Sequence, residues 1–146
     1  MSQESQGKLT LEIVTPERQL AEEHVEEVQL PARNGYLGIL PGHAPLLTEL
    51  GVGDLTYRLG KDVYHLAVVH GFAEVLPDRV IVLAEIGERA EEIDTGRARD
   101  ALKRAEERLA KHGVQGVDWE RALAALERAR VRMDVATHGG ASADHE

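Results

Sequence analysis

Hydrophobic and polar residues change rhythm once along this chain, near Gly87. Before that point the period is two. Leu9, Leu11 and Ile13 alternate with polar neighbours, as do Val28 and Leu30, and the runs Val63 to Val69 and Val80 to Leu83 are rich in β-branched residues. Turn residues punctuate these runs at Thr15-Pro16, Asn34-Gly35, Pro41-Gly42, Gly51 and Gly53, Gly60-Lys61-Asp62 and Pro77-Asp78, and most gaps are too short for a helix of ordinary length. Residues 8–87 therefore predict an all-β module of sandwich or barrel type, after a flexible N-terminus over residues 1–7.

Beyond Gly87 the period is helical. Ala98, Ala101, Leu102, Ala105 and Leu109 form one stripe, with Asp94 as its N-cap and His112-Gly113 as its stop. Asp118 caps a second stripe of Trp119, Ala122, Leu123, Leu126, Ala129 and Met133. The turn-forming break HGVQGV predicts an antiparallel helical hairpin over residues 88–137, and HGGASADHE reads as a disordered tail over 138–146.

Alanine dominates the first stripe, so the hairpin buries little apolar area of its own and depends on docking elsewhere. Gly96 in the first turn weakens that helix by about 1 kcal/mol relative to Ala. A movable arm and a rigid lid are both consistent with this. The hairpin also gathers arginines: with the turn near residue 114, Arg97 falls level with Arg132, and Arg104 within a turn of Arg128. Ion pairs with Glu88, Asp94, Glu127 and Asp134 would explain them, and so would a polyphosphate site, because guanidinium forks match phosphate oxygens.

Composition narrows the options further. The chain has 146 residues with 17 Lys plus Arg against 26 Asp plus Glu, and its net charge of -9 repels a nucleic-acid backbone. Residues 1–87 carry net -7 (6 basic, 13 acidic) and residues 88–146 net -2 (11 basic, 13 acidic), so most basic groups lie in the hairpin. Cysteine is absent, which removes disulfides and thiolate chemistry. Neither a secretory signal nor a spanning segment is evident, so any membrane connection runs through a partner. The seven histidines show no metal-ligand spacing. There is no nucleophile elbow and no Walker lysine loop, and serine occurs only near the two ends.

Four segments together resemble one family: GYLGILPGHAPLL from Gly35, HGFAEVLPDRVIVLAE from His70, ERAEEIDTGRA from Glu88 and VDWERALAALERARVRMDVA from Val117. Their order is that of the epsilon subunit of bacterial F-type ATP synthases. The resemblance implies a β-sandwich of about ten strands followed by an antiparallel α-helical hairpin. It implies a non-catalytic rotor subunit of the central stalk, bound to the gamma subunit and the c ring during proton-driven ATP synthesis. The hairpin would inhibit ATP hydrolysis by extending towards the alpha and beta subunits. Its place would be the cytoplasmic face of the bacterial plasma membrane, held there through the complex.

The same resemblance implies that no cofactor is required, with ATP as a regulatory ligand of the folded hairpin. The ATP motif falls on Ile93, Asp94, Arg97 and Ala98, with Glu88 upstream and Arg104, Arg128 and Arg132 downstream. The segment resembling the c-ring or gamma contact comprises Arg33, Asn34, Gly35, Tyr36, Leu37, Gly38 and His43, with Tyr36 where many members carry Glu. A free-standing nucleotide-binding sensor is the alternative reading.

Overall fold

The computed structural model describes residues 8–111 and 119–142. Seven strands come first: β1 (Leu9–Val14), β2 (Gln19–Val25), β3 (Glu27–Ala32), β4 (Gly35–Ile39), β5 (Leu46–Leu59), β6 (Asp62–Leu76) and β7 (Arg79–Arg89). A single 3-10 turn (Ala90–Glu92) leads into α1 (Thr95–Lys111) and α2 (Trp119–Ser142). The strands are ordered β2-β1-β7-β6-β5-β3-β4, with β1 parallel to β7 and every other pair antiparallel.

One core cluster draws side chains from all seven strands, among them Leu11, Leu20, Leu30, Ile39, Leu55, Leu66 and Val80. A flat sheet could not bring these together, so the sheet wraps back on itself as a sandwich. The alternation in the sequence is visible directly, since Leu9, Leu11 and Ile13 are fully buried and the residues between them are not.

Seven strands replace the expected count of about ten because β5, β6 and β7 are long and continuous, at 14, 15 and 11 residues. The β5–β6 ladder keeps one register from Leu46↔Val75 to Leu59↔Asp62. What changes along it is the inward set. On β6, Leu66 and Val68 enter the core at one end, Ala73 and Val75 at the other. The exchange occurs at His70 and Gly71, whose φ angles are 58° and 123°. A Cβ at Gly71 would lie 2.0 Å from the Leu83 carbonyl oxygen, so both conformation and space require glycine there.

Between residues 66 and 69, β6 is buried on both faces. Leu66 and Val68 face the sandwich, whereas Ala67 packs with Ile93, Ala98 and Val135 of the hairpin segment. A strand covered on both sides reads as a continuous apolar run, the form it takes in the sequence.

Three expectations need correction. β7 extends to Arg89, so Glu88 belongs to the sandwich rather than to the hairpin. Helix α2 continues to Ser142, past the expected start of a tail at His138, because extending a docked helix adds one backbone bond per residue without a new nucleus. The face of α2 also differs: Ala122, Ala129 and Val135 are buried, while Trp119 and Leu123 are 48% and 42% exposed. Small residues on both helices let them approach closely, and the larger side chains are left at the rim. The proposed stop at His112-Gly113, the break HGVQGV, the cap at Asp118, residues 1–7 and the last four residues lie outside the described residues.

Candidate functional site

The face of the sandwich under the hairpin is set by the strand register. Glu88, Ala67 and Asp54 stand directly opposite one another on β7, β6 and β5. Successive strands are spaced about 4.8 Å apart, and three residues of helix rise about 4.5 Å, so a helix crossing the strands meets one strand every three residues. Helix α2 does so. Arg132 meets Glu88, Val135 packs in the cluster with Ala67, and the His138 ring lies 6.0 Å from that of His65, which neighbours Asp54.

Between this face and the two helices lies a cavity of about 500 Å³. β6 and β7 contribute Ala67, Val69, Ile86 and Glu88 to its floor. Ala101, Arg104, Ala105 and Arg108 line it from α1, and Ala125, Arg128, Ala129, Val131 and Arg132 from α2. Four guanidinium groups and one carboxylate therefore surround an apolar floor. Arg104 with Arg108, and Arg128 with Arg132, are like-charged pairs at i,i+4, which weaken a helix by a few tenths of a kcal/mol each unless an anion lies between them.

Among the described residues, one of the four is seen neutralised within the chain. Arg132 donates from Nε to Glu88 Oε1 at 2.7 Å and from Nη2 to Oε2 at 3.2 Å. Among the described residues, Arg104, Arg108 and Arg128 have no ion-pair partner.

The other residues of the ATP-like motif have structural places. Asp94 accepts the backbone N–H of Arg97 at 3.2 Å and thereby caps α1. Ile93 and Ala98 are buried against Ala67 and Val135. Arg97 is exposed in the first turn and is not among the cavity-lining residues. Of the residues singled out in the sequence, the cavity brings together Arg104, Arg128, Arg132 and Glu88; it leaves Arg97 outside its lining and adds Arg108, which the sequence reading did not single out. Helical spacing from Arg104 was the signal for Arg108, four residues on.

Two further charged groups hold the hairpin root. Glu92 accepts two hydrogen bonds from Arg18, both at 2.7 Å, and the backbone N–H of Arg89 at 3.0 Å. The Arg18 guanidinium holds the Glu92 carboxyl down at about 2. At the other end of the docked face, His65 Nδ1 lies 2.8 Å from Asp54 Oδ2, and burial pushes the Asp54 carboxyl above its ordinary value.

A second concavity, of about 700 Å³, lies at the far end of β4 and β5. Arg33, Asn34, Gly35, Tyr36 and Leu37 line it together with Leu46, Leu47 and Glu49, while Gly38 and His43 are not in its lining. Its lip is apolar and open, with Leu47 71% and Tyr36 58% exposed. Tyr36 is nevertheless fixed, since its hydroxyl accepts the Asp54 backbone N–H at 3.0 Å. Gly53 makes the room: a Cβ there would lie 2.7 Å from that hydroxyl and 2.5 Å from Pro31 Cβ.

Residues 8–90 match the family described as ATP synthase, Delta/Epsilon chain, beta-sandwich domain, and residues 91–137 match its long alpha-helix domain. The chain belongs to the delta/epsilon family of ATP synthase subunits. The division between the two matches falls just after β7, where the structure turns from strand to helix. An ATP synthase epsilon chain of Solibacter usitatus is 56% identical over 128 residues, covering 88% of this chain and 95% of the relative. ATP synthase epsilon chain 2 of Syntrophotalea carbinolica is 50% identical over 133 residues, covering 91% and 96%. A chain of the Euglena gracilis mitochondrial ATP synthase shares the fold at a TM-score of 0.75 and 23% identity, covering 90% of this chain and 82% of that one. Family membership makes this chain a non-catalytic subunit of ATP synthase, and its partners are other subunits of that complex. The alternative of a free-standing sensor falls with it.

Proposed function

We propose that this chain is a rotor subunit of the central stalk, linking gamma to the c ring in a bacterial enzyme, and that its hairpin regulates ATP hydrolysis by leaving the sandwich. The docked hairpin binds ATP in the arginine-lined cavity. The observation that carries this reading is that the cavity has walls from both helices and a floor from the sheet. A ligand there touches all its partners only when the hairpin is docked, so it draws the population towards the docked state. The volume suits a nucleotide-sized ligand, and three arginines without an ion-pair partner among the described residues supply charge for a polyphosphate.

The apolar lip around Tyr36 and Leu47 is the surface suited to the c ring or gamma, with tyrosine supplying broad contact area where a charge would supply an ion pair. Among the described residues no helix is long and apolar enough to cross a membrane, and attachment to the cytoplasmic face of the plasma membrane runs through these partners. Extension of the hairpin carries it towards the alpha and beta subunits.

Calorimetric titration with ATP tests the nucleotide site. Binding by the parent chain, weakened by roughly 1.5–3 kcal/mol in Arg128→Ala, is the expected outcome for the loss of a charged hydrogen bond. No heat of binding in the parent, or equal affinity in both, refutes it.

A further inference from the structure

Asp54 touches two surfaces of the molecule at once, the lip around Tyr36 and the sheet face under the end of α2. Its backbone N–H donates to the Tyr36 hydroxyl at 3.0 Å, and its carboxylate Oδ2 lies 2.8 Å from His65 Nδ1. The His138 ring of α2 stands 6.0 Å from that of His65, within the range of an aromatic contact. His138 lies just past the residues matched to the family's helical domain, so that match does not include the contact.

The strand register explains why a side chain serves the Asp54 backbone. Pairing of β3 with β5 runs through Gln29↔Thr56 and resumes only at Ala32↔Leu50, with an irregularity between. Asp54 falls in that gap, and the Tyr36 hydroxyl takes the place of a β3 carbonyl as acceptor for its N–H. On its other side β5 pairs with β6 and sets Asp54 opposite Ala67, in the row beneath α2. Of the two carboxylate oxygens, Oδ2 meets His65, whereas Oδ1 is buried without a hydrogen-bond partner among the described residues. The place of the carboxylate therefore follows the Asp54 backbone.

We propose that the lip and the arm are coupled through Asp54: Tyr36 is a positioning residue that fixes the Asp54 backbone, and Asp54 thereby holds His65 as the seat for His138. Side-chain exposures of 13% for His65 and 20% for Asp54 leave the seat little slack. The coupling works in both directions. A partner surface that keeps the Tyr36 ring in this orientation favours the docked arm, and a docked arm favours this orientation of the ring. A contact that turns the ring away removes the acceptor from Asp54 and loosens the seat.

The coupling rests on the docked hairpin, and its regulatory use rests on a hairpin that leaves the sandwich; the test separates the two. In the full chain, without nucleotide and at a single pH, amide exchange is followed across the sandwich and α2. Tyr36→Phe removes only the hydroxyl and should speed exchange over residues 132–142 by at least about threefold, as for a lost neutral hydrogen bond. Leu47→Ala, at an exposed residue of the same lip, should leave that segment unchanged. His138→Ala should speed the same segment, and Tyr36→Phe added to it should then have little further effect.

Unchanged exchange over 132–142 in Tyr36→Phe, an equal acceleration throughout the sandwich, or the same acceleration in the His138→Ala background overturns the coupling. The chain has no cysteine, so donor and acceptor dyes on Lys61→Cys and Lys111→Cys report separately whether the arm leaves. Energy transfer from one docked population, in the parent and in Arg132→Ala alike, overturns the moving arm of the proposed function, while exchange over 132–142 still decides the coupling.

Discussion

Arg132 on the second helix and Glu88 on the last strand form a two-bond ion pair that spans 44 residues of sequence, and both residues line the cavity between hairpin and sheet. The pair fastens the hairpin and at the same time occupies one of four arginines facing a candidate anion site. A ligand phosphate would compete with Glu88 for Arg132, and the other three arginines would offset the lost pair.

Glu88→Gln therefore separates the two roles. With side-chain exposures of 31% and 27%, the pair is partly screened, and its loss should weaken docking by about 1 kcal/mol. Faster amide exchange across 119–138 without nucleotide is the expected reading, and unchanged exchange there would show that the pair does not fasten the arm.

Arg108 lines the cavity, and Arg97, expected there from the sequence, does not. Arg108→Ala should weaken ATP binding by roughly 1.5–3 kcal/mol, as for Arg128→Ala, and Arg97→Ala should have the smaller effect of the two. Calorimetry on both variants decides the matter, and a larger loss in Arg97→Ala would place the phosphates at the first turn of α1.

Glu92 predicts an acid-sensitive hinge. Its carboxyl is held at about 2, below the ordinary 4.5, so the stability it contributes is complete above pH 4.5 and is lost as pH falls towards 2. Thermal unfolding between pH 5 and pH 2 should show a shallower acid loss in Glu92→Gln than in the parent. An identical profile would show that Arg18 does not secure the hairpin root.

Gly71→Ala should destabilise the sandwich by about 3 kcal/mol or more, because its Cβ would overlap the Leu83 carbonyl and its φ of 123° is costly for any other residue. Denaturant unfolding measures this directly. A loss below about 1 kcal/mol would mean that β6 and β7 separate with little resistance.

Removing the hairpin tests regulation. A chain ending after Arg89 retains the main core cluster and should still assemble, with ATP hydrolysis by the complex raised. Equal hydrolysis with and without the hairpin, across a range of ATP concentrations, would argue against inhibition by this arm.

Much of this architecture is local and was legible as such. The two-residue alternation at Leu9, Leu11 and Ile13 marks a half-buried strand. Asp94 is readable as a cap because a carboxylate placed before a helical stripe satisfies an unpaired N–H three residues on. The four segments of family resemblance follow the same order as the two domains. By contrast, His65 and Asp54 carry no joint signal in the sequence, since their contact depends on one register of β5 against β6. The exposed positions of Trp119 and Leu123 are equally hidden, because periodicity defines a stripe but not which edge of it meets a partner helix.

The amino-acid order alone determined two modules of different period, the point where one gives way to the other, the cap of the first helix and a supply of basic residues in the second module. Tertiary structure decided which of those residues meet. Arg104, Arg108, Arg128 and Arg132 share a cavity, Arg97 lies outside it, and Glu88, Ala67 and Asp54 form one row beneath α2. The physical reason is range: turns, caps and periodicities are set by residues a few positions apart, whereas a site between sheet and hairpin exists only after strands distant in the chain have fixed their register and the helices have settled on it.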